Sequence, residues 1–333
     1  MYIKFFKSAF PLQFITIGII ALLLWLRAFI EPLQMPSPDG PVPLYQMIFN
    51  IFHSIPVIST LLGFLLVVGE SFWITAILNR NALILKNSSL TSLIFVVLMS
   101  MLPEQLTLTP VNITVFLMLL ILQNLLISYN KPDHLDLVFA AGFFTAMAGL
   151  FYLPFLLWFT FVPISFVVFR SGQWREWVVS MIGMTTPFVF LSVYYFWFDQ
   201  LTLQVIEYLS FFRYLLFYPN PFGEDFMILG GFTLILVIWG IFSIWSGPME
   251  KTVEVRAKTN LFLWIILFTG LSFTFSRSLA IYHPLLAVPA LSFVISGALT
   301  SLKKTKIAEW ILLVYFLTVL LNNSFLHSFY SPS

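Results

Sequence analysis

Two acidic residues with catalytic potential lie between the first two long apolar stretches of the sequence, in a proline-rich segment. They are Glu31 and Asp39. A carboxylate beside a membrane surface can act as a general base or orient an acceptor hydroxyl group. We therefore treat both as candidate catalytic residues. The competing interpretation is that both are solvated loop acids and that Asp39-Gly40 simply makes a turn.

Three arginines lie in segments that are predicted on the outer side of the membrane, where Lys and Arg are less common than in cytoplasmic loops. They are Arg27, Arg213 and Arg277. A guanidinium group binds phosphate through two parallel hydrogen bonds, so these residues are candidates for anion binding. Arg277 also precedes Tyr282 and His283 at the start of a late apolar stretch. Alternatively, each arginine pairs with a nearby carboxylate or a lipid headgroup.

One carboxylate, Glu70, falls inside an apolar stretch of membrane-spanning length. A carboxyl group at that depth is costly and needs a partner, a cavity or a polar cluster. Ser71 and Thr75 are its neighbours, and Gln123 lies at a similar depth in a later stretch. Glu70 is either a proton or ion site, or a structural group that makes an interhelical hydrogen bond.

Metal and nucleophile chemistry have little support in this sequence. Cysteine is absent, which excludes a disulfide, a thiolate metal site and a cysteine nucleophile. His134 is predicted on the opposite side of the membrane from His53, His283 and His327, so the four cannot share one iron. No nucleotide-binding or hydrolase motif occurs. We expect no cofactor and no metal.

The composition determines the environment of these residues. The 333 residues are 60% hydrophobic and 9% charged, with a mean hydropathy of +0.97. Soluble proteins carry about 25% charged residues, so lipid must surround this chain. The net charge of +2 gives no reason to expect a nucleic-acid partner.

The apolar stretches predict an all-α, polytopic transmembrane bundle forming a single domain over residues 1–333. A membrane span needs about 20 apolar residues, with a range of about 17–25. Eleven stretches meet or approach that length: Ala9–Leu26, Val57–Leu78, Ser88–Leu102, Val111–Ser128, Leu135–Leu150, Tyr152–Phe169, Trp177–Phe198, Met227–Trp245, Asn260–Phe275, Tyr282–Leu299 and Ile307–Leu321.

The basic residues orient this bundle. With the N-terminus in the cytoplasm, all but three of the 16 Lys and Arg residues fall in cytoplasmic segments. Such a bias is typical of cytoplasmic loops. The sequence therefore predicts a multi-pass protein of a bacterial inner membrane.

Two segments on the predicted periplasmic side are more than turns. Leu44–Ile55 has apolar residues at helical spacing and polar residues on its other face, which is typical of a helix lying in the membrane interface. Asp199–Asp225 places polar residues at three- and four-residue steps before a turn-rich acidic stretch. The predicted periplasmic side therefore has the longer connecting segments.

Four short segments resemble a family of bacterial polytopic membrane proteins that is defined only as a domain of unknown function. The resemblance covers most of the chain but implies no activity. It rests on Ser100–Glu104 (SMLPE), Gly142–Pro154 (GFFTAMAGLFYLP), Trp174–Trp177 (WREW) and Gly183–Pro187 (GMTTP).

A broader similarity is to C-type glycosyltransferases, which use polyprenyl-phosphate sugars. It rests on the span number, the long first outer loop with its in-plane helix, and the late segment Arg277–Pro289 (RSLAIYHPLLAVP). The similarity implies that Asp39 or Glu31 is the base and that Arg277 and His283 contact the lipid phosphate. The family's usual acidic pair is not clearly present in the first loop, and no sizeable domain follows the last span.

We therefore expect glycosyl or phosphoglycosyl transfer from a polyprenyl-linked donor at the periplasmic face. The expected partners are membrane lipids, a polyprenyl-phosphate-linked sugar and other envelope proteins. One alternative is a non-catalytic membrane subunit or assembly factor of an envelope complex. The other is a transporter that depends on Glu70.

Overall fold

The computed structural model describes residues 5–6, 10–84, 88–129, 131, 134–169, 173–213, 224–245, 252–276, 279–302 and 305–323. Within these ranges the chain is all-α and contains no strand. It forms α1 Pro11–Ile30, α2 Pro43–Phe52, α3 Pro56–Arg80, α4 Leu90–Met99, α5 Pro110–Ser128, α6 Leu135–Phe151, α7 Phe161–Phe169, α8 Trp174–Trp197, α9 Leu201–Arg213, α10 Glu224–Trp245, α11 Val253–Ser272, α12 Val288–Ser301 and α13 Thr305–Leu321.

Proline marks where many of these helices begin. Pro11, Pro43, Pro56 and Pro110 are each the first residue of a helix. The proline ring is fixed near the helical φ angle, and its missing N–H would have no partner there in any case. Four 3₁₀ segments add irregular turns around the helices: Pro103–Gln105, Leu153–Thr160, Phe273–Phe275 and His283–Ala287.

Seven helical segments in the described ranges are long and apolar enough to cross a membrane. Shorter apolar helices occur at Leu90–Met99, Leu135–Phe151 and Leu153–Phe169. Each of the eleven predicted stretches overlaps a helix, and the two predicted outer segments overlap α2 and α9. The seven are Pro11–Ile30, Pro56–Arg80, Pro110–Ser128, Trp174–Trp197, Met227–Trp245, Val253–Phe275 and His283–Ser301.

Hydrogen bonds between helix ends show which segments share an end of the bundle. At one end, the backbone N–H of Ser89 donates to the carbonyl of Phe6 at 2.9 Å. At the same end, Lys258 Nζ donates to Asn81 Oδ1 at 2.8 Å. We call this the basic end. The opposite end, which carries the loop 31–42, is called the loop end.

A helix of only ten residues, α4, lies at the centre of the bundle. All ten of its residues are buried, and it packs against α1, α3 and α12. At 1.5 Å per residue it is about 15 Å long, half of a bilayer core of about 30 Å. Two asparagines that directly follow α13 bond to the irregular backbone after α4. Asn323 Nδ2 donates to the Ser100 carbonyl at 2.9 Å, and Asn322 Nδ2 donates to the Met101 carbonyl at 3.3 Å. Non-helical backbone at such depth requires partners of this kind.

Helices α6 and α8 cross with their backbones in contact. A Cβ at Gly142 would collide with the carbonyl oxygen of Ser180, and a Cβ at Gly183 with that of Phe139. Small residues at helix crossings allow this close approach in membrane proteins.

A small hydrophobic cluster covers the loop end. It joins the loop 31–42 to α2, α9 and the start of the Leu153–Thr160 segment. The Phe211 ring lies over Gly40, where a Cβ would stand 2.6 Å from the ring and where φ is +79°. Glycine fits both this backbone conformation and the close approach. The buried members are Met35, Val42, Tyr45, Leu108, Leu153 and Phe211.

Candidate functional site

His283 is the most constrained of the predicted site residues. It is fully buried at the first position of a 3₁₀ turn. Its Nε2 lies 2.9 Å from the Thr269 carbonyl and 3.1 Å from Ser272 Oγ, while its Nδ1 lies 2.7 Å from the Tyr152 hydroxyl. A carbonyl only accepts, so Nε2 carries the proton and Nδ1 accepts the Tyr152 proton. Both ring nitrogens are therefore already engaged within the protein.

Asp39 of the first loop lies near Tyr152, the tyrosine that is bonded to His283. It is half-buried beside Gly40 and close enough to Tyr152 for an electrostatic interaction. Tyr152 is itself 2% exposed. The loop acid and the late histidine thus both lie near one phenol, although they are far apart in the sequence.

Two further tyrosines at the loop end, Tyr45 and Tyr282, interact electrostatically with each other. The Tyr45 hydroxyl donates to the Pro36 carbonyl at 2.7 Å, which fixes α2 to the first loop. Burial, and then the charge of Tyr282, raise the pKa of Tyr45 far above its ordinary value. Tyr282 in turn interacts electrostatically with Glu104. We call Asp39, Tyr45, Glu104, Tyr152, Tyr282 and His283 the loop-end polar cluster.

Glu31 lies in a different setting from Asp39. Its Oε2 is 3.3 Å from Nη2 of Arg27, one helical turn earlier, and its side chain is 69% exposed. The two residues border a cavity of about 110 Å³ that Asn323 also lines. Arg27 therefore has a nearby carboxylate as partner, and Glu31 lies at the surface of the bundle.

The other two arginines are only partly placed. Arg277 lies outside the described residues, but Ser276 and Leu279 on either side of it are joined by a backbone hydrogen bond of 3.1 Å. Arg213 is the last residue of α9, and its side chain lies outside the described part. Their predicted phosphate contacts stay predictions.

Glu70 lies buried in α3, 1% exposed, and neither carboxyl oxygen has a hydrogen-bond partner within the described part of the chain. The neighbours that the sequence suggested as partners bond elsewhere. Ser71 Oγ donates to the Val68 carbonyl, Thr75 Oγ1 pairs with Ser92 Oγ at 2.7 Å, and Gln123 Oε1 accepts from Trp73. Glu70 is thus a buried acid without the interhelical bond that one interpretation gave it.

Tyr152 and Tyr282 were not identified as site residues from the sequence. Tyr152 falls within the quoted GLFYLP segment and Tyr282 stands beside His283, yet tyrosine is also common at membrane interfaces. Their contacts are with residues more than a hundred positions away, which no local spacing reveals. Among the described residues, no group of three or more His, Asp or Glu side chains could hold a metal ion.

Comparison with known proteins adds no functional assignment to this site. No family model matches the chain, and no curated protein is significantly similar to it. The interpretation of the loop-end polar cluster therefore depends on its geometry and on the chemistry of its side chains.

Proposed function

We propose that this membrane protein crosses a bacterial inner membrane eleven times, with its basic end in the cytoplasm. The basic residues support this orientation, since only Arg27, Arg213 and Arg277 lie in segments assigned to the other side. The loop-end polar cluster then faces the periplasm.

We further propose that the loop-end polar cluster transfers a glycosyl or phosphoglycosyl group from a polyprenyl-linked donor. One observation carries this proposal: Tyr152 is hydrogen-bonded to His283 of the late segment and lies within electrostatic range of Asp39 of the first loop. An enzyme of this class needs a base for the acceptor and a site for the lipid phosphate side by side. The two segments that would supply them are adjacent at the loop end.

Asp39 is the better candidate for the base. It is half-buried within the cluster, whereas Glu31 is exposed and paired with Arg27. In glycosyl transfer, Asp39 would accept the proton of the acceptor hydroxyl as the acceptor oxygen bonds to the anomeric carbon. The bond from that carbon to the phosphate oxygen breaks, and the polyprenyl phosphate leaves with the electron pair.

The buried tyrosine and histidine would position this chemistry. His283 has no ring nitrogen left for a phosphate, so its proposed role is to hold Tyr152 in place. Arg277, six residues before His283, is the proposed phosphate contact.

The experiment compares two carboxylate variants of the purified protein in lipid nanodiscs with a polyprenyl-phosphate sugar as donor. Asp39→Asn should lower turnover by about 10²–10⁴, the usual contribution of a general base. Glu31→Gln is the matched control and should stay within a few-fold of the unmodified protein. Equal turnover in both variants would reject Asp39 as the base. Absence of donor binding and turnover in the unmodified protein would favour the non-catalytic subunit.

A transporter is the second candidate, and the two unpartnered oxygens of Glu70 favour it. An ionisable side chain buried within a membrane span is a candidate proton or ion site. In proteoliposomes with a trapped pH-sensitive dye, an imposed pH gradient should decay faster with the unmodified protein than with Glu70→Gln. Glu104→Gln serves as the control. The same decay rate with and without Glu70 removes this candidate.

A further inference from the structure

A long apolar groove runs between α8 and the helical segment Leu153–Phe169. Its volume is about 670 Å³, within the range of about 300–1,000 Å³ that small-molecule sites occupy. Two of the α8 residues that line it, Met181 and Thr185, are exposed. Its lining residues are Phe159, Thr160, Pro163, Ile164, Trp177, Met181, Met184, Thr185 and Phe188.

The groove offers almost no polar contact to an occupant. Its two threonines are already bonded, because Thr160 Oγ1 donates to the Leu157 carbonyl at 3.2 Å and Thr185 Oγ1 to the Met181 carbonyl at 2.8 Å. The remaining lining is aliphatic, aromatic or thioether. An extended hydrocarbon chain fits such a surface, and a polar ligand does not.

The length of the groove matches one leaflet of a bilayer. Along α8 it extends from Trp177 to Phe188, which is about 16 Å at 1.5 Å per residue. Half of a hydrocarbon core of about 30 Å is about 15 Å. Since α8 begins at the basic end, where Glu176 bonds to His134, the chain in the groove belongs to the leaflet on that side.

A positive charge lies at the start of α8, before the groove lining begins at Trp177. Arg175 and Trp174 are both exposed, and the Arg175 guanidinium carbon lies 5.9 Å from the centre of the Trp174 ring. The neighbouring acid Glu176 is buried and bonded to His134 Nε2 at 2.8 Å. Arg175 is therefore an exposed cation at headgroup depth, where phosphate is its natural complement.

We propose that this groove binds one acyl chain of an anionic phospholipid whose headgroup phosphate contacts Arg175. The groove supplies the affinity for the chain, and Arg175 supplies the preference for a negative headgroup. This inference is independent of the loop-end polar cluster, since no residue is shared between the two sites.

The test measures phospholipid retained by the purified full-length protein after detergent exchange, using native mass spectrometry with phosphatidylglycerol and phosphatidylcholine added in equal amounts. The unmodified protein should retain phosphatidylglycerol preferentially. Thr185→Trp fills the groove and should abolish retention of both lipids. Val193→Trp adds the same ring at a 59% exposed position outside the groove and should retain lipid normally.

A second variant keeps the result interpretable if Thr185→Trp folds poorly. Arg175→Gln changes only a surface charge and should bring the retained ratio of the two lipids to about one. An unchanged ratio in Arg175→Gln overturns the headgroup assignment, and normal retention by folded Thr185→Trp overturns the chain assignment. Preferential retention of added polyprenyl phosphate over phosphatidylglycerol would overturn the choice of a phospholipid.

Discussion

At the residue scale, two tyrosines with buried hydroxyl groups differ in what those hydroxyl groups contact. The Tyr152 hydroxyl donates to His283 Nδ1 at 2.7 Å, whereas the Tyr208 hydroxyl is buried with no hydrogen-bond partner among the described residues. Burial, and then the charges of Tyr195 and Glu207, raise the pKa of Tyr208, so it stays neutral at physiological pH. The pair therefore separates the effect of a hydrogen bond from the effect of losing one oxygen atom.

Tyr152→Phe should lower stability by about 1–3 kcal/mol, because it leaves a buried imidazole nitrogen without its donor. Tyr208→Phe removes a hydroxyl that bonds to nothing described and should be neutral or stabilising. The measurement is the thermal unfolding midpoint of both variants in the same detergent. Equal midpoints would contradict the hydrogen bond that joins Tyr152 to His283.

At the element scale, α6 and α8 depend on two glycines at their crossing. Gly142→Ala should lower the unfolding midpoint, because its Cβ would collide with the Ser180 carbonyl and the two helices would have to separate. Gly18→Ala in α1 is the matched control, since no atom lies within 4 Å of a Cβ there. That control should gain about 0.5–1 kcal/mol from helix propensity. Similar midpoints for the two variants would contradict the close crossing.

The elements also show how far sequence patterns predict this fold. Hydropathy located the helices, because lipid requires apolar side chains and internally bonded backbone. It misplaced some ends, since helix ends depend on hydrogen bonds rather than on hydropathy. The helix α11 begins at Val253 and not at Asn260, and its first turns hold the bond from Lys258 Nζ to Glu254 Oε1 at 2.6 Å.

The central helix α4 shows the opposite error, because it is shorter than the stretch that hydropathy predicts. The stretch Ser88–Leu102 is predicted as one span, yet the helix covers only Leu90–Met99. The irregular backbone that follows is satisfied by Asn322 and Asn323, more than two hundred residues away. For the same reason the sequence suggested Asp39 and His283 separately but did not reveal Tyr152, which is bonded to His283 and lies near Asp39.

At the scale of the whole molecule, the two ends differ in their predicted number of basic residues and in the length of their connecting segments. The sequence predicts most of the Lys and Arg residues in short connections at the basic end. The loop end carries α2, α9 and the loop-end polar cluster. The proposed phospholipid groove and the proposed transfer site thus open near opposite membrane surfaces. Both assignments require the two ends to lie on opposite sides of the bilayer.

The absence of cysteine makes this arrangement directly measurable, because one introduced cysteine is the only thiol in the chain. Ser37 in the first loop and Gln173 before α8 are both exposed and lie at the loop end and the basic end, respectively. In intact cells, a membrane-impermeant maleimide should label Ser37→Cys, because the positive-inside bias places the loop end outside. Gln173→Cys should be labelled only after the membrane is permeabilised. Labelling of both variants in intact cells would reject the proposed crossing pattern and would put the transfer site and the lipid groove on the same side.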